Sequence, residues 1–381
     1  MRILIVARGF PTPETPLSAM FERDQAKALA ACGHEVIVAV MDLRSARRKR
    51  KLGFYHTQKQ GLKVYYAALP IGPIPHLMDW VGKWAFARLY KNVCEQVGQP
   101  DIVHAHFWWI AGWVAANKER IHCPFVITEH ASEINQETIA PALYKRMMRT
   151  YPKADACLAV SGALAKRMRK NFGVAVTCVP NIVDTALFKR REKKDVVGRE
   201  FTFVACGYLV VGKGFDLLLQ AFANCLKSRL AIRLVIMGDG PEKQHLKTMA
   251  AQLGCADRVE FYGAYCRQEA ADMFESADAF VLASKSETFG VVYIEAMAAG
   301  LPVIATACGG PEDFVTEQVG ILVPVGNVKA LTEAMEQMVM QSSSYDRAEI
   351  ARYAAKNFAP ATIAEQLTSI YMRARHEMEK R

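Results

Sequence analysis

Two carboxylates eight residues apart, Glu287 and Glu295, lie in the run Ser284-Lys285-Ser286-Glu287-Thr288-Phe289-Gly290-Val291-Val292-Tyr293-Ile294-Glu295-Ala296-Met297-Ala298-Ala299-Gly300. On one ideal helix they would point about 80° apart, a poor same-face pair. Residue types place them on different elements instead. Val291 to Ala299 is rich in helix formers, and Gly300 is the residue type that closes a helix in the left-handed conformation. Glu295 therefore belongs to a helix and Glu287 to the loop before it. The apolar runs Ala279 to Ala283 and Pro302 to Ala305 on either side read as buried strands. A strand, a short loop with Gly290 and a helix start make an anion site, because unpaired backbone N–H groups and the helix dipole converge there. The chemistry expected is capture of a phosphate-bearing ligand whose hydroxyls meet the two carboxylates. The competing reading is a pair of surface glutamates that the helix dipole favours in any case.

A second run could serve the same ligand. Gly207-Tyr208-Leu209-Val210-Val211-Gly212-Lys213-Gly214 follows one apolar strand and precedes a helix. Its glycines allow close backbone approach and Lys213 supplies a compact point charge for a diphosphate. It lacks the Gly-Lys-Ser/Thr ending of a P-loop, and no G-x-G-x-x-G follows the first strand, so a P-loop nucleotidase and a nicotinamide-dependent oxidoreductase are both disfavoured. His104 and His106 alternate along a strand and share a face, as a metal pair or as buried hydrogen-bonded histidines, with no third ligand placed by spacing. His130 ends another strand, a position suited to polar chemistry.

These residues need a scaffold, and a chain of 381 residues exceeds one hydrophobic core, so two domains are expected. A composition of 51% hydrophobic and 23% charged residues is that of a globular α/β protein. The ten cysteines are scattered with no C-x-x-C, which predicts small buried hydrophobes in a reducing cytosol. Met1 to Ala7 reads as a first strand, not as part of a signal peptide, and no stretch has the roughly 18 apolar residues that cross a bilayer. The net charge of +10 is concentrated at Arg44, Arg47, Arg48, Lys49, Arg50 and Lys51. That block is either a solvated loop or a patch for anionic lipid or an acidic acceptor; no nucleic-acid motif accompanies it.

Strand and helix patterns alternate from Arg2 to Val179 and again from Phe201 to Val323, with the charged segment Lys189 to Arg199 as linker. The expected domains are 1–183 and 184–359, with the basic helix 360–381 packing back on the first. The expected architecture is two doubly wound α/β domains facing across a cleft, with ligands at the carboxyl ends of the strands. The aromatic run Phe107-Trp108-Trp109-Ile110-Ala111-Gly112-Trp113 is read as helix-start packing, part of which lines that cleft.

In order along the chain, these motifs resemble the retaining GT-B glycosyltransferases of family 4, the group 1 type that uses nucleotide-activated sugars. The resemblance is carried by Glu287-x7-Glu295, Gly33-His34-Glu35-Val36, Asp101-Ile102-Val103-His104-Ala105-His106, Val160-Ser161, Pro180-Asn181-Ile182-Val183-Asp184, Gly238-Asp239-Gly240-Pro241 and Gly309-Gly310-Pro311-Glu312. It implies that Glu295 takes the ribose hydroxyls, that Glu287 contacts the donor sugar and that His130 stands near the transferred sugar. Lys213 and the backbone at Thr288, Phe289, Gly290 and Val291 would hold the diphosphate. Tyr208, Gly238, Tyr265 and Cys266 would complete the donor side, and Ser18, Ala19, His106 and Trp108 the acceptor side. No metal and no cofactor are implied. The donor would be a UDP- or GDP-sugar and the acceptor a glycan or lipid-linked molecule in cell-surface polysaccharide or glycolipid synthesis. The expected location is cytoplasmic, peripheral at an anionic inner membrane face. Three positions depart from the family pattern: Tyr208 stands where an arginine grips the diphosphate, Ala19 where a glycine is usual, and Ile182, at the hinge, where a glycine usually follows Pro180-Asn181. The first departure motivates the alternative of a catalytically weak nucleotide-sugar-binding subunit.

Overall fold

The computed structural model describes residues 1–12, 15, 17–45, 47, 50–72, 75–136, 138–190 and 200–380. Pro13, Pro16, Arg48, Lys49 and residues 191–199 of the expected linker lie outside the described residues. By contacts the chain forms two units, Met1–Ile182 with Pro360–Arg381, and Val183–Ala359.

In the first unit β1 (Arg2–Ala7), α1 (Met20–Ala31), β2 (Glu35–Asp42), β3 (Gly53–Lys59), β4 (Leu62–Ala68) and α2 (Pro75–Val97) come first. They are followed by β5 (Ile102–His106), α3 (Trp108–Ala115), β6 (Phe125–Glu129), α4 (Pro141–Thr150), β7 (Ala156–Ala159), α5 (Gly162–Phe172) and β8 (Val176–Cys178). The sheet order is β3-β4-β2-β1-β5-β6-β7-β8, parallel except for β3 against β4. Strand order reverses between β1 and β5, whose carboxyl ends therefore frame a crevice. The strands are continuous apolar runs such as Ile3-Leu4-Ile5-Val6-Ala7, as expected for a parallel sheet covered on both faces.

The second unit holds β9 (Phe201–Cys206), α6 (Phe215–Lys227), β10 (Ile232–Met237), α7 (Lys243–Gln252), β11 (Val259–Gly263) and α8 (Arg267–Ser276). It continues with β12 (Ala279–Leu282), α9 (Val291–Ala298), β13 (Val303–Thr306), β14 (Gly320–Val323), α10 (Val328–Met340) and α11 (Arg347–Phe358). Its sheet runs β11-β10-β9-β12-β13-β14, with every pair parallel and the reversal between β9 and β12. The chain then returns to the first unit as α12 (Pro360–Glu379). Ile363, Leu367, Ile370 and Tyr371 of α12 join Ile3, Ile5, Ala28 and Leu29 in one core. His34 Nε2 meets Thr368 Oγ1 at 2.8 Å, and His104 Nδ1 meets Tyr371 Oη at 2.7 Å.

The structure differs from sequence expectation in three places. A strand expected from Gly61 to Leu69 runs only from Leu62 to Ala68, because Gln60 and Gly61, at φ 52° and 80°, form the turn of a hairpin that adds edge strand β3. Helix α11 was not expected, although Asp346 caps it by accepting from the N–H groups of Ala348 and Glu349. In the basic block, Arg44 and Arg50 reach the buried Asp42 carboxylate at 2.7 and 2.9 Å; Arg50 is largely covered, while Arg44, Arg47 and Lys51 stay exposed.

Leu367 is buried against the opening strand and helix of the chain, so Leu367→Ala leaves a cavity in a core built from both ends of the sequence. The expected loss is about 2–5 kcal/mol for the first unit. Urea denaturation followed by circular dichroism measures it, and a change within error would show that α12 is not part of that core.

Candidate active site

In the second unit three loops meet at the carboxyl end of the sheet where strand order reverses. Gly214, at φ 65°, ends the loop after β9; a Cβ there would sit 2.0 Å from the Ala283 carbonyl oxygen, in the loop after β12. Gly238, at the end of β10, is pressed the same way, with a Cβ position 1.9 Å from the Gly207 carbonyl oxygen. Only glycine lets these backbones touch, and the contact brings Lys213 to Glu287.

Lys213 Nζ lies 2.6 Å from Glu287 Oε1, which also accepts from the Ser284 hydroxyl at 2.7 Å. The Glu287 backbone is pinned as well: its N–H donates to the Cys308 carbonyl at 3.2 Å, and its carbonyl accepts from Gly310 at 3.0 Å. Gly290 caps α9 at φ 97°, and Val291 opens the helix. The helix start has N–H groups with no intrahelical acceptor, so a cation, a carboxylate and an anion-seeking helix end share one crevice.

Glu295 lies one turn inside α9 and is buried. Arg267, at the start of α8, holds its Oε1 from Nη2 at 3.1 Å and Nε at 3.2 Å, while stacking over Phe188 at 5.2 Å. Tyr265 faces Cys206 and Glu295, and burial pushes its phenol well above the usual 10. Cys266 caps α8 and its backbone N–H donates to Glu269 at 2.6 Å. Thr288 is half-buried in the loop. Phe289 is a core residue, packed 5.2 Å from Phe314 and 5.8 Å from Phe358, so its side chain anchors the loop and leaves the backbone to a ligand. Tyr208 is 64% exposed. Arg267 is the residue sequence reasoning missed: its partner is 28 positions away and no local pattern marks it.

In the first unit His106 ends β5, beside the reversal, and His130 follows the neighbouring strand β6. His106 Nδ1 and His130 Nε2 share a hydrogen bond of 2.9 Å. His106 stacks between His104 at 4.6 Å and His130 at 5.2 Å, and His130 also meets Phe107 and Phe21. Burial holds both His106 and His130 well below the usual 6.5, with Arg8 reinforcing the effect, so they are neutral. His130 Nδ1 has no hydrogen-bond partner among the described residues. The turn carrying His130 is set by Glu129, a residue with no sequence signal. Its Oε1 accepts from the His130 and Ala131 N–H groups at 2.9 Å each, and its Oε2 from the Tyr151 hydroxyl at 2.7 Å. Burial raises the Glu129 carboxyl to about 7 against the pull of these donors.

Ser18 lines a cavity of about 530 Å³ with Arg8, Phe10, Arg44, Trp109 and Trp113. Ala19 has φ 55°, the left-handed conformation a glycine takes freely, at a cost of roughly 1 kcal/mol for an L-residue. Trp108 is buried under Arg146 and lines a smaller cavity beside α2. No described group of three or more His, Cys, Asp or Glu side chains could hold a metal, and His104 is engaged by Tyr371 and by Thr128, each at 2.7 Å.

Burial lowers His104 from 6.5 to about 3, which gives a signed pH prediction. Between those values the unfolded chain binds a proton at His104 that the folded chain refuses. The contribution to stability is full above about 6.5 and is lost as pH falls, by up to about 1.4 kcal/mol per pH unit. His104→Gln removes this slope. Urea titrations of both proteins at about pH 7 and about pH 5 measure it, and a constant gap between them would contradict the neutral assignment.

Residues 188–357 match the family described as Glycosyl transferases group 1, and residues 21–187 match Glycosyltransferase Family 4. The chain is 31% identical to a D-inositol 3-phosphate glycosyltransferase of Mycobacteroides abscessus over 75% of this chain and 69% of that one. It is 28% identical to a glycosyltransferase assigned to teichuronic acid biosynthesis in Bacillus subtilis, over 88% of each. Among solved structures, an Anabaena protein in complex with UDP and glucose superposes with a TM-score of 0.75 at 19% identity, covering 98% of this chain and 100% of that one. No described helix is long and apolar enough to cross a membrane. With its two parallel-sheet α/β units and both family matches, the chain belongs to the family 4, group 1 glycosyltransferases of GT-B fold.

Proposed function

We propose that the protein transfers a sugar from a nucleoside diphosphate to an acceptor hydroxyl, with retention at the anomeric carbon and without a metal. The observation that supports this reading best is the Lys213–Glu287 pair beside the α9 start, at the strand-order reversal. In the reaction the bond between the anomeric carbon and the diphosphate oxygen breaks, and the acceptor oxygen bonds to the same face of that carbon. The acceptor proton passes to a leaving phosphate oxygen. Negative charge grows on the diphosphate, where Lys213 and the N–H groups at Gly290 and Val291 are already oriented; such preorganised stabilisation is the main catalytic term in a site of this kind. Glu295, held by Arg267, receives the ribose hydroxyls, and Glu287 meets the sugar. Neutral His130 offers Nδ1 to a sugar hydroxyl.

The donor is assigned to the UDP- or GDP-sugars. The Anabaena protein's complex with UDP and glucose favours trying uridine first. For the acceptor, the relatives' names point to cell-surface glycans and glycolipids. The cavity lined by Phe10, Trp109 and Trp113 together with Arg8 and Arg44 suits a molecule with an apolar part and an anionic part.

Lys213→Ala is expected to lower turnover by about 100-fold or more, because it removes the cation that Glu287 holds beside the α9 start, where the charge is proposed to develop. Donor hydrolysis and transfer assays measure it, using the nucleotide that most raises the melting temperature in a panel of nucleotide sugars. Wild-type turnover in the variant would mean the diphosphate lies elsewhere. Tight nucleotide binding with no turnover of any donor in the wild type would favour a binding subunit.

A further inference from the structure

Helix α2 presents a stripe of outward residues, Leu77, Trp80, Trp84, Arg88 and Lys91, spaced three or four apart. Trp80 is 67% exposed and Trp84 46%. Phe54 meets Trp84 edge-on at 5.6 Å, and the Arg88 guanidinium lies 4.9 Å from the Phe54 ring and 5.9 Å from the Trp84 ring. Leu52, next to Lys51, is exposed as well. A cluster of exposed indoles and leucines is a costly surface for water and marks an interaction site.

A cavity of about 190 Å³ is lined by Asp79 and Lys83 of α2 together with Trp108, Arg146, Arg149 and Lys153. Asp79 is shared by Lys83 at 2.6 Å and Arg146 at 3.2 Å. One carboxylate thus faces four cations, and the pocket carries an excess of positive charge. Trp108 is buried on its wall, and its indole Nε1 has no hydrogen-bond partner among the described residues. Arg146 stacks over the same ring at 5.0 Å.

We infer that this face is a peripheral docking surface for an anionic phospholipid bilayer. Trp80, Trp84 and Leu77 enter the headgroup layer, and the basic pocket beside them takes a headgroup phosphate. Indoles settle at the membrane–water boundary because the ring is apolar and its N–H is polar. The surrounding cations supply the long-range attraction, at about fivefold in affinity for each one near an anionic surface. A second copy of the chain fits less well, since a two-fold contact centred on the tryptophans would set Arg88 and Lys91 against themselves. The surface is distinct from the basic block of the sequence, where Arg44 and Arg50 pair with Asp42.

The test is flotation of the full chain with vesicles of phosphatidylcholine alone and of equal parts phosphatidylcholine and phosphatidylglycerol. The wild type is expected to float with the anionic vesicles only, to be released by salt, and to show a blue shift of tryptophan fluorescence on binding. The double variant Trp80→Ser/Trp84→Ser and the pair Arg146→Glu/Arg149→Glu are each expected to bind at least about tenfold more weakly. Unchanged thermal melting would show that both variants fold, and soluble transfer activity is measured separately because the donor residues are untouched. Failure of the wild type to float, or flotation of both variants at wild-type strength, overturns the inference. So does a wild-type dimer that Trp80→Ser/Trp84→Ser converts to a monomer, which would assign the face to self-association.

Discussion

A carboxylate cannot be buried without a cation or several donors, and the second unit's crevice is organised around that constraint. Glu287 and Glu295 are both buried at the carboxyl end of an apolar sheet. An unpaired charge there would cost several kcal/mol, so each carboxylate carries its own cation, Lys213 for one and Arg267 for the other. The two cations come from different loops. Lys213 ties the loop after β9 to that after β12 across the strand-order reversal, and Arg267 ties the start of α8 to the interior of α9. The glycines at 214 and 238 are what allow the backbones to come close enough for the first of these links. Charge compensation and close packing are therefore one requirement here, met together.

In the first unit the cluster of His104, His106 and His130 meets the same constraint with neutral groups. Its three imidazoles stack in a row and lose their charge to burial, so they share hydrogen bonds without a counter-ion. Glu129 is accommodated by three donors, two of them from the turn that presents His130. Glu22 is buried beside Arg8 at 3.2 Å, and desolvation raises its carboxyl all the same. A neutral histidine cluster can accept from or donate to hydroxyl groups but adds no charge.

Much of this was legible in the sequence because it is local. The strand–loop–helix pattern around Glu287 and the closing Gly300 need only the residues themselves, and the structure places Glu287 in the loop and Glu295 in α9 accordingly. What was not legible depends on distant partners. Arg267 looks like any helix-start arginine until α8 packs beside α9, and Glu129 looks like a strand-end glutamate until Tyr151 reaches it. In the basic block, Asp42 lies at the end of a strand, and its pairing with Arg44 and Arg50 likewise cannot be read from a run of like charges. Strand β3 was missed because its alternation is that of a half-exposed edge, a weaker signal than a buried run.

Of the departures from the family pattern, Ala19 and Tyr208 differ in kind. Ala19 keeps the backbone shape that a glycine would give, at a cost in strain that one loop can carry. Tyr208 is different, because its ring is exposed and replaces a cation with none. In the proposed reaction Lys213 must then serve the diphosphate without that arginine, and in the structure Lys213 is held by Glu287. This is less of a handicap than it looks. An isolated lysine at a half-buried position would pay for its own desolvation, whereas one already paired exchanges a carboxylate for a phosphate and is compensated throughout. In the proposed reaction Glu287 would keep the Ser284 hydroxyl as a donor and exchange Lys213 for the sugar's hydroxyls, so that its buried charge is not left without partners. On that proposal the Lys213–Glu287 pair, and not an isolated lysine, is what would answer the diphosphate charge.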